Sequence, residues 1–110
     1  MKQGEIWELY LNPTKGSEQS GRRPAVIISG NMLNTYLQVV IVCPLTTSIK
    51  NYKGNLIIEP NTVNGLTKTS EVLTFHVRSV SKTRLDKKIG IIPIKNVEVI
   101  KKTLSDILKF

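Results

Sequence analysis

The 110-residue sequence contains one cysteine, Cys43, and one histidine, His76. A single cysteine excludes an internal disulfide and a cysteine-rich metal site, and a single histidine leaves no partner for a zinc site. Cys43 lies in the apolar run VVIVCPL. We therefore predict that it is a small buried hydrophobic side chain and not a nucleophile.

Acidic residues are also few. The eight carboxylates are scattered, and no close pair is suited to holding magnesium. The sequence has no GxxxxGK[ST] loop and no GxSxG elbow. A metal-dependent nuclease, an NTPase and a serine hydrolase are therefore not expected, and the sequence implies neither a metal nor a cofactor.

Long apolar runs are missing as well. None approaches the ~20 residues needed to cross a bilayer, and the opening MKQGEIWEL is too polar and acidic for a signal peptide. The length fits one domain, residues 1–110, with one modest core. We expect a cytoplasmic protein.

Basic residues are plentiful: sixteen lysines and arginines give a net charge of +8. Such a balance favours a polyanionic partner, nucleic acid above all, although a basic surface without such a partner is the alternative. The basic residues are spread along the chain, so we expect a folded surface, not a tail, to carry them.

Alternating and β-branched residues predict a mainly β chain. The predicted strands are EIWELYL, a strand AVIIS opened by Pro24, LQVVIVCPL, NLIIEP, EVLTFHVRSVS and GIIPI. Residues 12–24 are predicted to be a long exposed loop, GNMLNT and KTRLDKK to be turns or short helical segments, and Asn-Gly a turn. Apolar residues at helical spacing predict an amphipathic helix from Asn96 onward. The elements fit a small, strongly bent sheet or barrel closed by that helix, and an OB-like barrel would fit as well.

The remaining inventory permits chemistry by arginine, hydroxyl groups and one carboxylate. RNA offers such a reaction, because its 2′-hydroxyl can attack the adjacent phosphate and expel the 5′-oxygen without a metal. The protein must then stabilise negative charge and hold the reacting groups in line. DNA lacks the 2′-hydroxyl and would survive.

One stretch, PTKGSEQSGRRPAVIIS, closely resembles the signature of the MazF/PemK family of toxin endoribonucleases. The resemblance continues through VVIVCPLTTS, FHVRSVSKTRL, and KKIG followed by the terminal helix. Its specific element is GSEQ-x-G-x-RP followed about twenty residues later by PLTT. The resemblance implies a small SH3-like barrel of the PemK/CcdB type, mainly β with a C-terminal helix, that forms a homodimer. It also implies an acidic cognate antitoxin and metal-independent cleavage of single-stranded RNA (mRNA), leaving 2′,3′-cyclic phosphate and 5′-hydroxyl ends.

The resemblance assigns catalysis to Arg23, Thr46 and Glu18. A guanidinium group is a poor proton donor or acceptor near neutrality, so charge stabilisation is the favoured role of Arg23. The non-catalytic alternatives are that Arg23 is a surface residue paired with Glu18 and that the Thr46 hydroxyl caps a turn. Glu18 either orients Arg23 or moves a proton.

The expected RNA contacts are Ser17, Arg22, Thr47, Lys50, Lys53 and His76. Arg22 is a phosphate contact or a solvated charge. His76 stands where many relatives of the family have glutamine. It contacts an RNA base, is a partly buried strand histidine, or joins the acid–base chemistry. Two other functions stay open: a CcdB-like poison of DNA gyrase that cuts nothing, and an inactive RNA-binding barrel.

Overall fold

Seven strands and two α-helices form within residues 1–11 and 21–109, the residues that the computed structural model describes. The strands are β1 (Glu5–Leu11), β2 (Gly21–Ile27), β3 (Val39–Thr46), β4 (Ile57–Ile58), β5 (Ser70–Val72), β6 (Arg78–Ser81) and β7 (Leu85–Ile91). The helices are α1 (Asn31–Tyr36) and α2 (Ile94–Lys109), and short 3₁₀ turns cover Thr74–His76 and Lys82–Arg84. A mainly β fold with a C-terminal helix is confirmed.

Strand β3 is the centre of the antiparallel sheet, whose order is β4-β5-β3-β2-β1-β7. One edge of β3 pairs with β2, with Ala25 opposite Pro44 and Ile27 opposite Val42. The other edge pairs first with β6 and then, near its C-terminal end, with β5. Its many β-branched residues suit this segment to a central strand with partners on both edges.

Both faces of the sheet bury apolar side chains. The larger cluster packs under α2 and combines Ile6, Val26, Leu45, Val97 and Ile100 with neighbours that include Cys43. The smaller cluster lies on the opposite face of β2 and β3. Cys43 is fully buried, and burial raises the pKa of its thiol to about 12, so the predicted hydrophobic role is confirmed. In the described residues, no helix is long and apolar enough to cross a membrane.

Element boundaries differ from the predictions in several places. The predicted loop 12–24 is wrong at its end, because residues 21–24 belong to β2 and pair with β1; residues 12–20 lie outside the described part. Of the predicted strand NLIIEP, only Ile57–Ile58 is strand. The predicted short strand GIIPI is replaced by β7, which begins earlier, at Leu85. The helix α2 begins at Ile94, two residues before the predicted start at Asn96. Residues 21–24 become strand because β1 supplies their pairing partners.

Pro24 therefore lies inside β2 and does not open it. The Ile28 N–H donates to the Ile41 carbonyl, so by alternation the backbone of Pro24 also faces β3. Proline has no N–H to donate there. Accordingly the paired register of β2 and β3 stops at Ala25 and Pro44, and the two strands are free to separate beyond this point.

The predicted strand EVLTFHVRSVS is wrong as a continuous strand. Val72 pairs with Leu45 and Arg78 pairs with Val42, so five residues on this side face two residues of β3. The three additional residues form the 3₁₀ turn Thr74–His76, which we call the TFH bulge. Pro44 explains its position, because this residue presents its backbone to the same edge and has no N–H to donate.

Candidate active site

Arg23 and Thr46 occupy corresponding positions on neighbouring strands. The β2–β3 register, continued by two residues beyond the Ala25–Pro44 pair, sets Arg23 opposite Thr46. Alternation puts both side chains on the face of the smaller apolar cluster, the face of Ala25 and Val42. Both residues are half-buried. A cation and a hydroxyl thus lie on the same face of two neighbouring strands, just beyond their last paired residues.

The Thr46 hydroxyl is held by its own turn. Its Oγ1 accepts a hydrogen bond from the Ser48 N–H at 3.1 Å. A hydroxyl that accepts from a backbone N–H keeps its proton for a second partner. The turn-capping contact and a hydrogen bond to a phosphate oxygen are therefore compatible. Thr47, the next residue, is exposed.

Arg22 points to the other face of β2 and does not join this pair. Its Nε lies 2.8 Å from Asp86 Oδ2 and 3.8 Å from Glu8 Oε1. Its Cζ lies 5.8 Å from the centre of the Tyr10 ring, a cation–π contact. Arg22 therefore connects β1, β2 and β7, and its charge is largely engaged by carboxylates.

Glu71 is a site residue that the sequence reasoning missed. It is fully buried in β5 and pairs with Thr46 in the sheet. Its Oε1 accepts from the N–H groups of Lys50 and Asn51 at 2.7 and 2.8 Å. Its Oε2 accepts from the Tyr52 N–H at 3.0 Å and from Asn55 Nδ2 at 2.9 Å.

The loop closes around this carboxylate because Asn51 adopts a left-handed conformation, φ 56°, so that successive N–H groups converge on one anion. Burial raises the pKa of Glu71, but the hydrogen bonds from Asn55 and from the three backbone N–H groups outweigh it, and the pKa lies below its ordinary value of 4.5. The only sequence signal was an acidic residue beginning the apolar stretch EVL. We call residues 50–55 with Glu71 the clamped loop.

The clamped loop presents two of the predicted RNA contacts, Lys50 and Lys53, and both are exposed. Its far end is fixed to α2, because the Thr103 hydroxyl donates to the Gly54 carbonyl at 2.5 Å. Thr46 is therefore flanked by a basic loop whose backbone is held at both ends.

His76 is exposed and lies in the TFH bulge, so the alternative of a partly buried strand histidine is wrong. Its ring lies 4.6 Å from that of Phe75, which in turn lies 5.3 Å from Tyr52. Both contacts are edge-to-face. The bulge thus brings His76 beside the clamped loop.

Two predicted site residues, Ser17 and Glu18, lie outside the described residues. Within residues 1–11 and 21–109, no group of three or more histidine, cysteine, aspartate or glutamate side chains could hold a metal ion. The chemistry that the described site offers is charge stabilisation and hydrogen bonding.

Comparison with known proteins identifies the family. Residues 2–108 match the model of the PemK-like, MazF-like toxin of type II toxin-antitoxin systems. The chain is 32% identical to the endoribonuclease MazF9 of Mycobacterium tuberculosis (82% of this chain, 80% of that protein). It is 33% identical to the endoribonuclease MazF of Staphylococcus saprophyticus (89% and 82%). The crystal structure of MazE-MazF from Deinococcus radiodurans superposes with a TM-score of 0.82 at 26% identity, over 100% of this chain and 96% of the matched one. The expected PemK-type barrel is confirmed by this likeness, and the chain belongs to the PemK-like, MazF-like toxin family of type II toxin-antitoxin systems.

Proposed function

We propose that this protein is an endoribonuclease toxin that cleaves single-stranded RNA, mRNA above all, by attack of the 2′-hydroxyl on the adjacent phosphate. The two relatives described above are endoribonucleases and together cover most of the chain. The observation that carries the proposal is the placement of Arg23 and Thr46 on one face where β2 and β3 separate.

In the proposed reaction the 2′-oxygen forms a bond to phosphorus and the bond to the 5′-oxygen breaks. The products are a 2′,3′-cyclic phosphate and a 5′-hydroxyl, and the leaving 5′-oxygen takes its proton from solvent water. Arg23 neutralises the charge that develops on the phosphate oxygens, since a guanidinium matches their geometry with two hydrogen bonds. The free proton of the Thr46 hydroxyl adds a third. For the proton that leaves the 2′-hydroxyl, Glu18 is the candidate acceptor; orientation of Arg23 is its other role.

Lys50 and Lys53 extend this site along the RNA backbone, and their exposed ammonium groups suit phosphates. The proposed RNA contacts are completed by Thr47, Ser17 and His76. Arg22 contributes to RNA binding mainly through the long-range attraction between its positive charge and the phosphates. The proposed assembly is a homodimer neutralised by an acidic antitoxin. The solved MazE-MazF complex of a relative supports such a pairing. Because mRNA is the proposed substrate, we place the activity in the cytoplasm.

The test is incubation of the purified protein with a long RNA in excess EDTA. Cleavage should persist, because the proposed chemistry uses no metal. A 2′-deoxy sugar at the scissile position should abolish it, because the nucleophile is removed. Activity that disappears with EDTA and returns with magnesium would contradict the mechanism. Intact RNA together with inhibition of DNA gyrase would support the CcdB-like alternative.

A further inference from the structure

Three aromatic rings lie exposed around the clamped loop and the TFH bulge. Tyr52 is 49% exposed and Phe75 is 48% exposed. Tyr52, Phe75 and His76 form a continuous edge-to-face row. We call this row the aromatic row. It lies outside both apolar clusters, so packing of the core does not account for it.

The fold holds the aromatic row in place by two separate devices. In the TFH bulge, Phe75 and His76 are not paired with β3, next to Pro44, which cannot donate a hydrogen bond to this edge. The Glu71 carboxylate holds the backbone N–H of Tyr52 at 3.0 Å. A site ordered before its ligand arrives loses less conformational entropy on binding.

The chemistry around the row favours a single-stranded polyanion with flat apolar groups. Lys50 and Lys53 lie on the same loop as Tyr52, and both are exposed. Glu71, the carboxylate beneath the loop, is buried with both oxygens engaged, so it repels a polyanion little. Unpaired nucleobases stack on aromatic side chains while neighbouring phosphates meet cations.

We propose that Tyr52 and Phe75, with His76, form a stacking surface for an unpaired nucleobase next to the phosphate held by Arg23 and Thr46. This inference rests on the proposed RNA cleavage. The link to the cleavage site is direct in the sheet, because Thr46 pairs with Glu71, and Glu71 binds the backbone of Tyr52. The aromatic row therefore selects the base at one fixed distance from the scissile bond.

The experiment measures binding of a 2′-O-methyl oligonucleotide that carries the cleaved motif, obtained by sequencing the ends that the wild type produces. The methyl group blocks cleavage, so affinity is read by fluorescence anisotropy without turnover. Tyr52→Ala and Phe75→Ala should each weaken binding roughly 5- to 100-fold, the range for loss of one stacked base. The dependence of affinity on salt should not change, because no charge is removed. Tyr52→Phe should bind as the wild type does.

An abasic scan of the oligonucleotide locates the stacked base. At one position, loss of the base should weaken binding to the wild type, and Tyr52→Ala should then cause no further loss. Tyr36→Ala is the matched control, because Tyr36 is 80% exposed but lies in α1, next to the opposite end of β3. Circular dichroism and thermal unfolding check that each variant is folded. Should an alanine variant not fold, Tyr52→Leu and Phe75→Leu replace it and carry the same expectation.

Two outcomes would overturn the inference. In the first, the wild type binds and cleaves RNA, and the variants without Tyr52 or Phe75 bind equally well. In the second, these variants bind RNA normally but lose affinity for a synthetic peptide of alternating glutamate and leucine, which assigns the row to a protein partner. A wild type that neither binds nor cleaves RNA would instead contradict the proposed function itself.

Discussion

Arg22 and Arg23 are adjacent in the chain but perform different tasks, because neighbouring residues of a strand face opposite sides. Arg22 is held by Asp86 at 2.8 Å and stacks near Tyr10. Arg23 shares its face with Thr46 at the end of the paired part of β2 and β3. Strand alternation thus separates a structural arginine from the proposed catalytic one.

Replacement of the two arginines should affect the rate of cleavage very differently, with little effect of Arg22 on stability. Arg23→Ala should lower the rate of cleavage roughly 100- to 1,000-fold, the usual loss for one preorganised charge-stabilising group, and Thr46→Ala should be similarly severe. Arg22→Ala should lower the rate much less. Because Arg22 is half exposed, its ion pairs should contribute less than about 1 kcal/mol to the free energy of unfolding. Single-turnover cleavage and urea unfolding of both variants decide the matter; a larger rate loss for Arg22→Ala would reverse the assignment.

The clamped loop is an element that depends on one buried carboxylate. Three backbone N–H groups and one amide donate to Glu71, and without the carboxylate these donors lose their common partner. Thr46 and Tyr52 both connect to Glu71, so the proposed catalytic hydroxyl and the aromatic row share one anchor.

Lowering the pH should weaken the stabilisation of the clamped loop by Glu71. The pKa of Glu71 is lowered in the folded protein, so its contribution to stability is present above its unfolded-state pKa and is lost as the pH falls through the folded-state value. The loss of this stability should therefore begin near pH 4.5 and continue as the pH falls further. Glu71→Gln should lower the free energy of unfolding by about 1–3 kcal/mol at neutral pH and flatten the fall below pH ~4.5. Urea unfolding across that range measures both effects.

The matched control for this carboxylate is Glu59→Gln, because Glu59 is exposed. Its unfolding should follow that of the wild type. Some acid sensitivity should remain in Glu71→Gln. Burial raises the pKa of Glu5, but hydrogen bonds from Trp7 and Lys2 and the charge of Lys88 lower it by more. An unchanged acid profile in Glu71→Gln would show that the anchor contributes little.

The turn before β5 packs backbone to backbone against β7. A methyl group at Gly90 would lie 2.4 Å from the carbonyl carbon and oxygen of Asn64, whereas one at Gly30 would have no neighbour within 4 Å. Gly90→Ala should therefore cost about 1–3 kcal/mol of stability, as overpacking does, and Gly30→Ala should cost little. Thermal unfolding of the two variants tests the contrast. Equal melting temperatures would mean that the turn shifts without cost.

The sequence predicted the elements that depend on the pattern of apolar residues within a single segment of chain. EIWELYL and LQVVIVCPL formed strands because alternation and β-branched residues suit a half-buried pleated surface, and the spacing of Val97 and Ile100 placed α2 on the core. The TFH bulge could not be predicted, since it results from a change of register against β3. The role of Glu71 was equally hidden, because its donors lie 16–21 residues earlier in the chain. The motifs located Arg23 and Thr46, but only the sheet shows that both lie on one face at the end of the β2–β3 pairing.

The distribution of charge over the molecule depends on which carboxylates are buried or paired with cations. Among the residues that the structure describes, most carboxylates are buried or paired with cations. Glu5 pairs with Lys88, Glu8 and Asp86 pair with Arg22, Glu71 is enclosed by N–H groups, and Glu98 and Asp106 pair with Lys101 and Lys102. Lys50 and Lys53 of the clamped loop take part in none of these pairs. In a chain with a net charge of +8, this surface should therefore attract polyanions.

An acidic antitoxin should inhibit this protein by occupying the same surface as RNA. Lys50, Lys53 and Arg23 attract a flexible acidic peptide as well as they attract phosphates, and a disordered tail can order along such a surface on binding. Uncleavable 2′-O-methyl RNA should therefore be displaced by the antitoxin in a competition titration, and longer acidic tails should displace it at lower concentration.

Salt separates the electrostatic from the apolar part of this inhibition. If charge alone drove the association, affinity would fall steeply as salt is raised, because the attraction between exposed charges is screened over about 10 Å at 0.1 M. We expect a weaker dependence for the antitoxin than for RNA, because apolar side chains of the tail can bury against exposed groups of the toxin and are insensitive to salt. Lys53→Ala should reduce the salt dependence of both ligands. Simultaneous tight binding of RNA and antitoxin to one toxin subunit would show that inhibition acts at a separate surface.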